Sequence, residues 1–216
     1  MIIHDISPVF HADMPCWPGD TPFAAKRVAS IEDGSTVNVS SIVMSSHVGS
    51  HADAPLHYRA DGPSIAEVAL EPFIGRCHLV DARASTGATI GLEVLSQLPE
   101  RVERVLIRQY DRQPNQWDPH LRGIDPALVF ELARRGAKLI GMDAASVDPA
   151  DSKTLQAHHA LDAHDIRIIE GLLLDDVAAG EYELIALPLK LAGCDGAPIR
   201  AILRSPSMAG RGSEPA

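Results

Sequence analysis

Asp125-Pro-Ala-Leu-Val-Phe-Glu-Leu-Ala-Arg-Arg-Gly136 runs almost directly into Lys138-Leu-Ile-Gly-Met142, and this stretch decides the fold class. Asp125 is a good N-cap because its carboxylate can accept from the orphan N–H groups of a first helical turn. Pro126 suits the first helical position, where its missing N–H costs nothing. Residues 127–135 continue the helix, and Gly136 stops it. The short apolar run that follows, bounded by turn residues, reads as a strand. Further strand-like runs lie on both sides: Thr36 to Met44, Arg76 to Asp81, Arg104 to Arg108, Ile166 to Glu170, Glu183 to Pro188 and Ile199 to Arg204. Shorter helical patterns cover Gly91 to Leu98 and Thr154 to Ala163. Strands alternating with helices in the middle, and β-rich flanks, predict an α/β domain with a mixed sheet.

A chain of 216 residues supports one substantial core, so one domain over residues 1–204 is expected. The small, polar, Pro/Gly-rich tail, 205–216, reads as disordered. Aromatics are sparse, so Leu, Ile, Val and Ala must build the core. With 19 Lys and Arg against 29 Asp and Glu, the net charge is −10. That balance argues against a nucleic-acid partner, which needs a basic face, and against an anionic membrane surface. No apolar stretch approaches the roughly 18 residues of a membrane helix, and Met1-Ile-Ile-His-Asp-Ile6 does not read as a signal peptide. Three well-separated cysteines, Cys16, Cys77 and Cys194, suit a reducing compartment, and a cytoplasmic protein is expected. Cys77 and Cys194 read as small hydrophobes in the packing, while Cys16, next to Trp17, is a candidate for a pocket wall.

Chemistry concentrates in His47-Val-Gly-Ser-His51-Ala-Asp53-Ala-Pro-Leu-His57. Any one histidine is more readily a core or surface residue than a ligand. Three imidazoles and a carboxylate within eleven residues are a different matter, because they form the donor set that Zn²⁺ prefers. Three donors suffice for a catalytic ion with an open position, and the fourth residue can then carry protons. His47 and His51 stand at helical spacing, but Val48 occupies the place of a metalloprotease's glutamate, and Gly49 and Pro55 oppose a continuous helix. The segment therefore reads as the end of the 36–44 strand passing into a shaped loop. A second group, His158, His159 and Glu170, is weak alone, and adjacent histidines cannot both face one ion. Beside the first cluster it offers what a second ion needs. Asp143, at the end of an apolar strand, reads equally as a cleft acid or a turn former. Trp17, in Met14-Pro-Cys-Trp-Pro-Gly-Asp20, reads equally as a platform for a flat ring or a loop anchor.

The His47–His57 segment resembles the H-x-G-[TS]-H-x-D-[AS]-P-x-H signature of the cyclase-like metal hydrolases. Trp17-Pro-Gly-Asp20, Asp151 to His159, Glu170 to Val177 and Tyr182 to Leu189 are similar to the bacterial kynurenine formamidases (arylformamidases) within that group. The resemblance spans nearly all of residues 1–204. It implies a barrel-like mixed sheet flanked by helices, a homodimer, and hydrolysis of N-formyl-L-kynurenine to L-kynurenine and formate in tryptophan degradation. It also implies two Zn²⁺ per subunit, with Mn²⁺ as the other candidate. His47, His51 and Asp53 would hold one ion. Asp53 and Glu170 would bridge to a second, which His158 completes. His57 would carry the proton and Trp17 would touch the substrate. Ser50 replaces the threonine of many relatives and keeps the hydroxyl. Two rivals follow from the same residues: a cyclase-like hydrolase opening a cyclic amide such as isatin, and a metal-binding module without catalysis.

Overall fold

A computed structural model describes residues 1–205. The tail expectation, apart from Ser205, lies outside the described residues. The elements in chain order are β1 (Ile3–Asp5), β2 (Ala24–Ala29), β3 (Val39–Val43), β4 (His51–Asp53), β5 (Ile74–Asp81), β6 (Thr89–Ile90), β7 (Arg104–Arg108), β8 (Gly123–Ile124), α1 (Pro126–Arg134), β9 (Leu139–Met142), α2 (Gln156–Ala163), β10 (Arg167–Glu170), β11 (Gly180–Ile185), β12 (Gly196–Pro198) and β13 (Ile202–Arg204). Short 3₁₀ turns cover Pro55–His57, Glu71–Phe73 and Leu92–Gln97, the last where the sequence suggested an α-helix.

Nine strands form one sheet in the order β1-β13-β11-β5-β7-β9-β10-β4-β12, curled into a half-barrel. Neighbours among β5, β7, β9 and β10 run parallel, and the flanking strands are antiparallel. The expected mixed α/β sheet is therefore present. The central strands are apolar on both faces, as burial between two layers requires. Val105, Ile107, Ile140, Met142 and Ile168 face α1 and α2. Leu79, Leu106, Leu139 and Ile169 face the opposite core, with Leu184 and Leu203. Asp125 caps α1 as the sequence indicates, its Oδ1 accepting from Ala127 N at 2.8 Å.

Two expectations need correction. The 36–44 strand does not lead into the His47–His57 segment within one sheet. Its paired part, β3, pairs only with β2 in an exposed two-stranded ribbon. Nor is 47–57 all loop, since His51, Ala52 and Asp53 form β4 inside the main sheet, between β10 and β12. Alternating polar residues hid this strand. In the fold, both of its polar side chains are buried against other polar side chains.

Candidate active site

The register of two strands builds the floor of the site. β4 and β10 run antiparallel with His51 opposite Glu170 and Asp53 opposite Ile168. Directly paired residues share a face, as do residues two apart on one strand. His51, Asp53 and Glu170 therefore emerge together on the helical side of the sheet, where Ile168 packs, while Ala52 and Ile169 fill the other core. α2 lies on the helical side and delivers His158. His159, the neighbouring residue, is exposed.

How α2 begins explains why His158 points inward. Leu155, just before the helix, is left-handed at φ 44°, a conformation costing a non-glycine residue about 1–2 kcal/mol. The cap comes from a distant acid. Asp148 accepts from Ala157 N at 3.0 Å, from His158 N at 3.1 Å and pairs with His158 Nδ1 at 2.7 Å. That last bond turns Nε2 towards the floor. Gly49 O does the same for His51, lying 2.9 Å from its Nδ1. Gly171 allows this arrangement. With φ at +65°, it approaches so closely that a Cβ would stand 2.2 Å from Gly49 O.

The donors fall into two groups sharing Asp53. Its Oδ1 lies 3.0 Å from His47 Nδ1 and 3.3 Å from His51 Nε2. Its Oδ2 lies 3.4 Å from His158 Nε2. Glu170 divides in the same way, with Oε2 3.2 Å from His51 Nε2 and Oε1 3.8 Å from His158 Nε2. Glu170 Oε1 also accepts from Val147 N at 2.7 Å, which fixes its plane.

His51, Asp53, His158 and Glu170 are each 3% exposed or less. Yet His51 Nε2, His158 Nε2 and both Asp53 oxygens lack a hydrogen-bond partner. Buried polar atoms are almost always paired, and an unpaired buried carboxylate is costly. A cation among these atoms supplies the missing partner, so the donor set fits a divalent metal. The protonation of the cluster points the same way. Burial alone would push His51 and His158 down. The surrounding carboxylates, Asp53 and Glu170 for His51 with Asp148 added for His158, instead push each up to about 10. Burial would raise the Asp53 carboxyl, but the imidazoles of His158, His47 and His51 hold it well below the usual carboxylate range. The floor demands positive charge and takes protons where no metal competes.

The rim is built differently. His57 ends the 3₁₀ turn with its side chain 33% exposed, and its ring lies 4.1 Å from that of His47. Asp195, between β4's neighbour β12 and the solvent, reaches both rings: Oδ2 is 3.1 Å from His47 Nε2 and 3.5 Å from His57 Nδ1. Burial would raise the Asp195 carboxyl, but the His47 and Ser46 bonds outweigh it and hold the group below its ordinary value. Gly196 follows because a Cβ there would meet His47 Cε1 at 2.8 Å.

Above the donors opens a cavity of about 580 Å³. Trp17 lines it and packs edge-on against Trp117, with ring centres 4.6 Å apart, so it is both wall and anchor. Cys16 also lines the wall, as does Asp143. Asp143 is a loop cap as well. It accepts from the Gln109 and Tyr110 N–H groups, and burial pushes its carboxyl up to about 7. Cys77 is buried, and Cys194 is partly buried against the same core. Sequence reasoning missed Asp148 and Asp195. Each is an acid beside Pro or Gly, which a sequence alone presents as a turn.

The chain belongs to the cyclase family, whose model matches residues 4–149. More narrowly, it is 48% identical over 202 residues to kynurenine formamidase of Delftia acidovorans (strain DSM 14801 / SPH-1), covering 93% of this chain and 96% of that one. Among solved structures it resembles a potential metal-dependent hydrolase with cyclase activity, at 27% identity and a TM-score of 0.79, covering 94% of this chain and 96% of that one. Isatin hydrolase A from Labrenzia aggregata shares the fold at a TM-score of 0.79 and 24% identity, with 94% and 93% covered.

Proposed function

We propose that this protein is an arylformamidase that hydrolyses N-formyl-L-kynurenine to L-kynurenine and formate. One observation carries the reading: a buried histidine–carboxylate cluster and a tryptophan-lined wall share a single cavity. The 48% identity to a kynurenine formamidase along nearly the whole chain supports it. Identity of that extent also speaks against a metal-binding module without catalysis.

In this reading His47, His51 and Asp53 hold one Zn²⁺, and Asp53, His158 and Glu170 hold a second, with Mn²⁺ the alternative metal. When bound, such ions lower the pKa of water and polarise a carbonyl oxygen. The chain's own residues do the rest. Asp53 and Glu170 each offer one oxygen to each side of the floor. Asp148 and the Gly49 carbonyl hold the outer nitrogens of His158 and His51, which presents Nε2 inward with its lone pair free. Trp17 lies against the aryl ring and sets its plane. His57, at the wet edge of the cavity, gives a proton to the leaving nitrogen as the C–N bond breaks.

The reading extends to a homodimer in the cytoplasm. The β2–β3 ribbon leaves Val28, Val39, Ile42 and Val43 exposed, and an isolated two-stranded ribbon is marginal without a partner. A light-scattering mass of one chain would remove the dimer. Three free cysteines are in keeping with a reducing compartment. Among the described residues no helix is long and apolar enough to cross a membrane.

The test is a spectrophotometric assay on metal-analysed protein, with N-formylkynurenine and isatin compared at equal enzyme. Chelated protein should lose activity and regain it with Zn²⁺. Ring-opening of isatin without hydrolysis of the formamide would overturn the substrate, and activity indifferent to chelation would overturn the metal.

A further inference from the structure

Asp195 lies outside the donor set assigned above, yet it is held more firmly than an exposed acid needs to be. Its Oδ1 accepts from Ser46 Oγ at 2.9 Å. Its carbonyl accepts from Ala54 N at 2.8 Å, and the next residue, Gly196, is in register with Asp53. His57 hangs from the same point, since its N–H donates to the Ala54 carbonyl at 2.9 Å. Ala54 is fully buried, so carboxylate and imidazole are both tied to one rigid residue. Their side chains are 45% and 33% exposed, at the cavity mouth, where bulk water can exchange protons. Oδ2 stands 3.5 Å from His57 Nδ1. Such contacts are often long before substrate binds and tighten in the substrate complex.

We propose that Asp195 is a positioning residue for His57: it accepts the Nδ1 proton and leaves Nε2 to carry the proton that moves. This rests on the formamidase reading and on His57 as the acid. In the reaction, water adds to the formyl carbon and the C–N bond breaks. Its electron pair stays on nitrogen, which takes the proton from His57, and the products are the free amine and formic acid. A carboxylate on Nδ1 holds the ring in one tautomer and stabilises the imidazolium before transfer. The contact with His47 Nε2 offers a competing role, in which Asp195 serves only to orient a metal donor.

Leaving-group dependence separates the two. Formanilide must be protonated as it leaves, whereas 4-nitroformanilide has a far weaker need. Wild type, Asp195→Asn, Asp195→Glu, Ser46→Ala, His57→Ala and the Asp195→Asn/His57→Ala double variant are assayed after metal analysis. Asp195→Asn should keep its metal and its KM, and lose about ten- to a hundredfold in kcat on formanilide. The loss should be several-fold smaller on the nitro substrate. Asp195→Glu should recover part of the rate, and Ser46→Ala should show a milder form of the same signature. The double variant should be no slower than His57→Ala alone, as coupled residues require. The proposal fails if Asp195→Asn loses metal and is rescued by adding it, if both substrates slow equally, or if the double variant is additive. A wild type inactive on every aryl formamide would overturn the formamidase reading itself. An active wild type with an unimpaired Asp195→Asn would overturn only the role of Asp195.

Discussion

The floor and the rim of this site lie within a few ångströms of each other and are built by opposite means. The floor places His51, Asp53, His158 and Glu170 on strands and a helix, buried, with His51 Nε2, His158 Nε2 and both Asp53 oxygens lacking hydrogen-bond partners. The rim places His57, Asp195 and Trp17 on turns and loops, in contact with water or a cavity. Burial makes the floor's charges strong and their geometry rigid, which suits holding a cation. Exposure lets the rim exchange protons and admit a substrate. Changes on the floor should therefore act through metal content, and changes on the rim through rate or substrate affinity with the metal in place.

The largest break in that contrast is Asp53→Asn. Both oxygens of Asp53 face imidazoles, and an amide nitrogen in place of one of them cannot accept a metal. Bound metal should fall to near zero on elemental analysis, and activity should fall by at least about 10⁴-fold, which tests the floor as one unit. Retained metal with full activity would remove Asp53 from the centre of the site. A pH series probes the same unit. In the metal-free protein the surrounding carboxylates push His51 and His158 up to about 10 against the pull of burial, from an ordinary value of about 6.5. Below that range each must lose a proton before it can coordinate, so metal binding releases two protons. Since His51 serves one ion and His158 the other, affinity for each ion should climb by at least about tenfold per pH unit from neutral pH and level off near pH 10. Competition titrations with a chelator of known affinity measure the slope, and a flat profile would show that the floor is not protonated without metal.

On the rim, His57→Ala should lower kcat by roughly 10²–10⁴ while leaving metal bound. If the variant is instead empty, His57 belongs to the floor. One structural fact sharpens this test: His57, Asp53 and His158 can each place a donor atom within 4.8 Å of the others, so the boundary between the regions passes close to His57. Asp148→Asn approaches the boundary from beneath. It removes the charge that holds His158 Nδ1 while leaving the inward-facing donor in place, so metal affinity should weaken by about 10–100-fold without a matching fall in the rate of the loaded enzyme.

The same contrast governs what a reader of the sequence can see. α1 was legible because cap, proline and stop glycine all act locally, and the central strands were legible because burial on both faces leaves an apolar run. The first donor cluster was visible because β4 and its flanks put three imidazoles and a carboxylate within eleven residues. His158 and Glu170 carry no local sign of their partnership, which arises only when β10 pairs with β4 and a helix crosses above. β4 itself was hidden, because His51 and Asp53 make a buried face look like a wet one. Asp148 and Asp195 could not be told from ordinary turn acids, since what distinguishes them is a neighbour ten residues away in one case and about 140 in the other. β2, with the sequence Ala-Ala-Lys-Arg-Val-Ala, lacks alternation because neither of its faces meets a core.

Trp17 gives the smallest expected effect and the finest test of where the rim's work divides. Its indole packs edge-on against Trp117 and also lines the cavity, so Trp17→Ala removes a wall and loosens a loop together. Trp17→Phe keeps an aromatic face at lower area, and comparing the two separates stacking from loop order. An aromatic contact is worth about 0.5–1.5 kcal/mol beyond the area it buries, so Trp17→Phe should raise KM by about two- to tenfold and leave kcat nearly unchanged. Trp17→Ala should raise KM further and add a fall in kcat, because a ring free to tilt no longer holds the formyl group in line with His57. Formamide itself, which has no ring, should be hydrolysed equally by all three proteins if stacking is the whole effect. A deficit on formamide would show instead that Trp17 supports the catalytic edge of the cavity through Trp117, and the rim would then be a packed structure rather than a set of independent contacts.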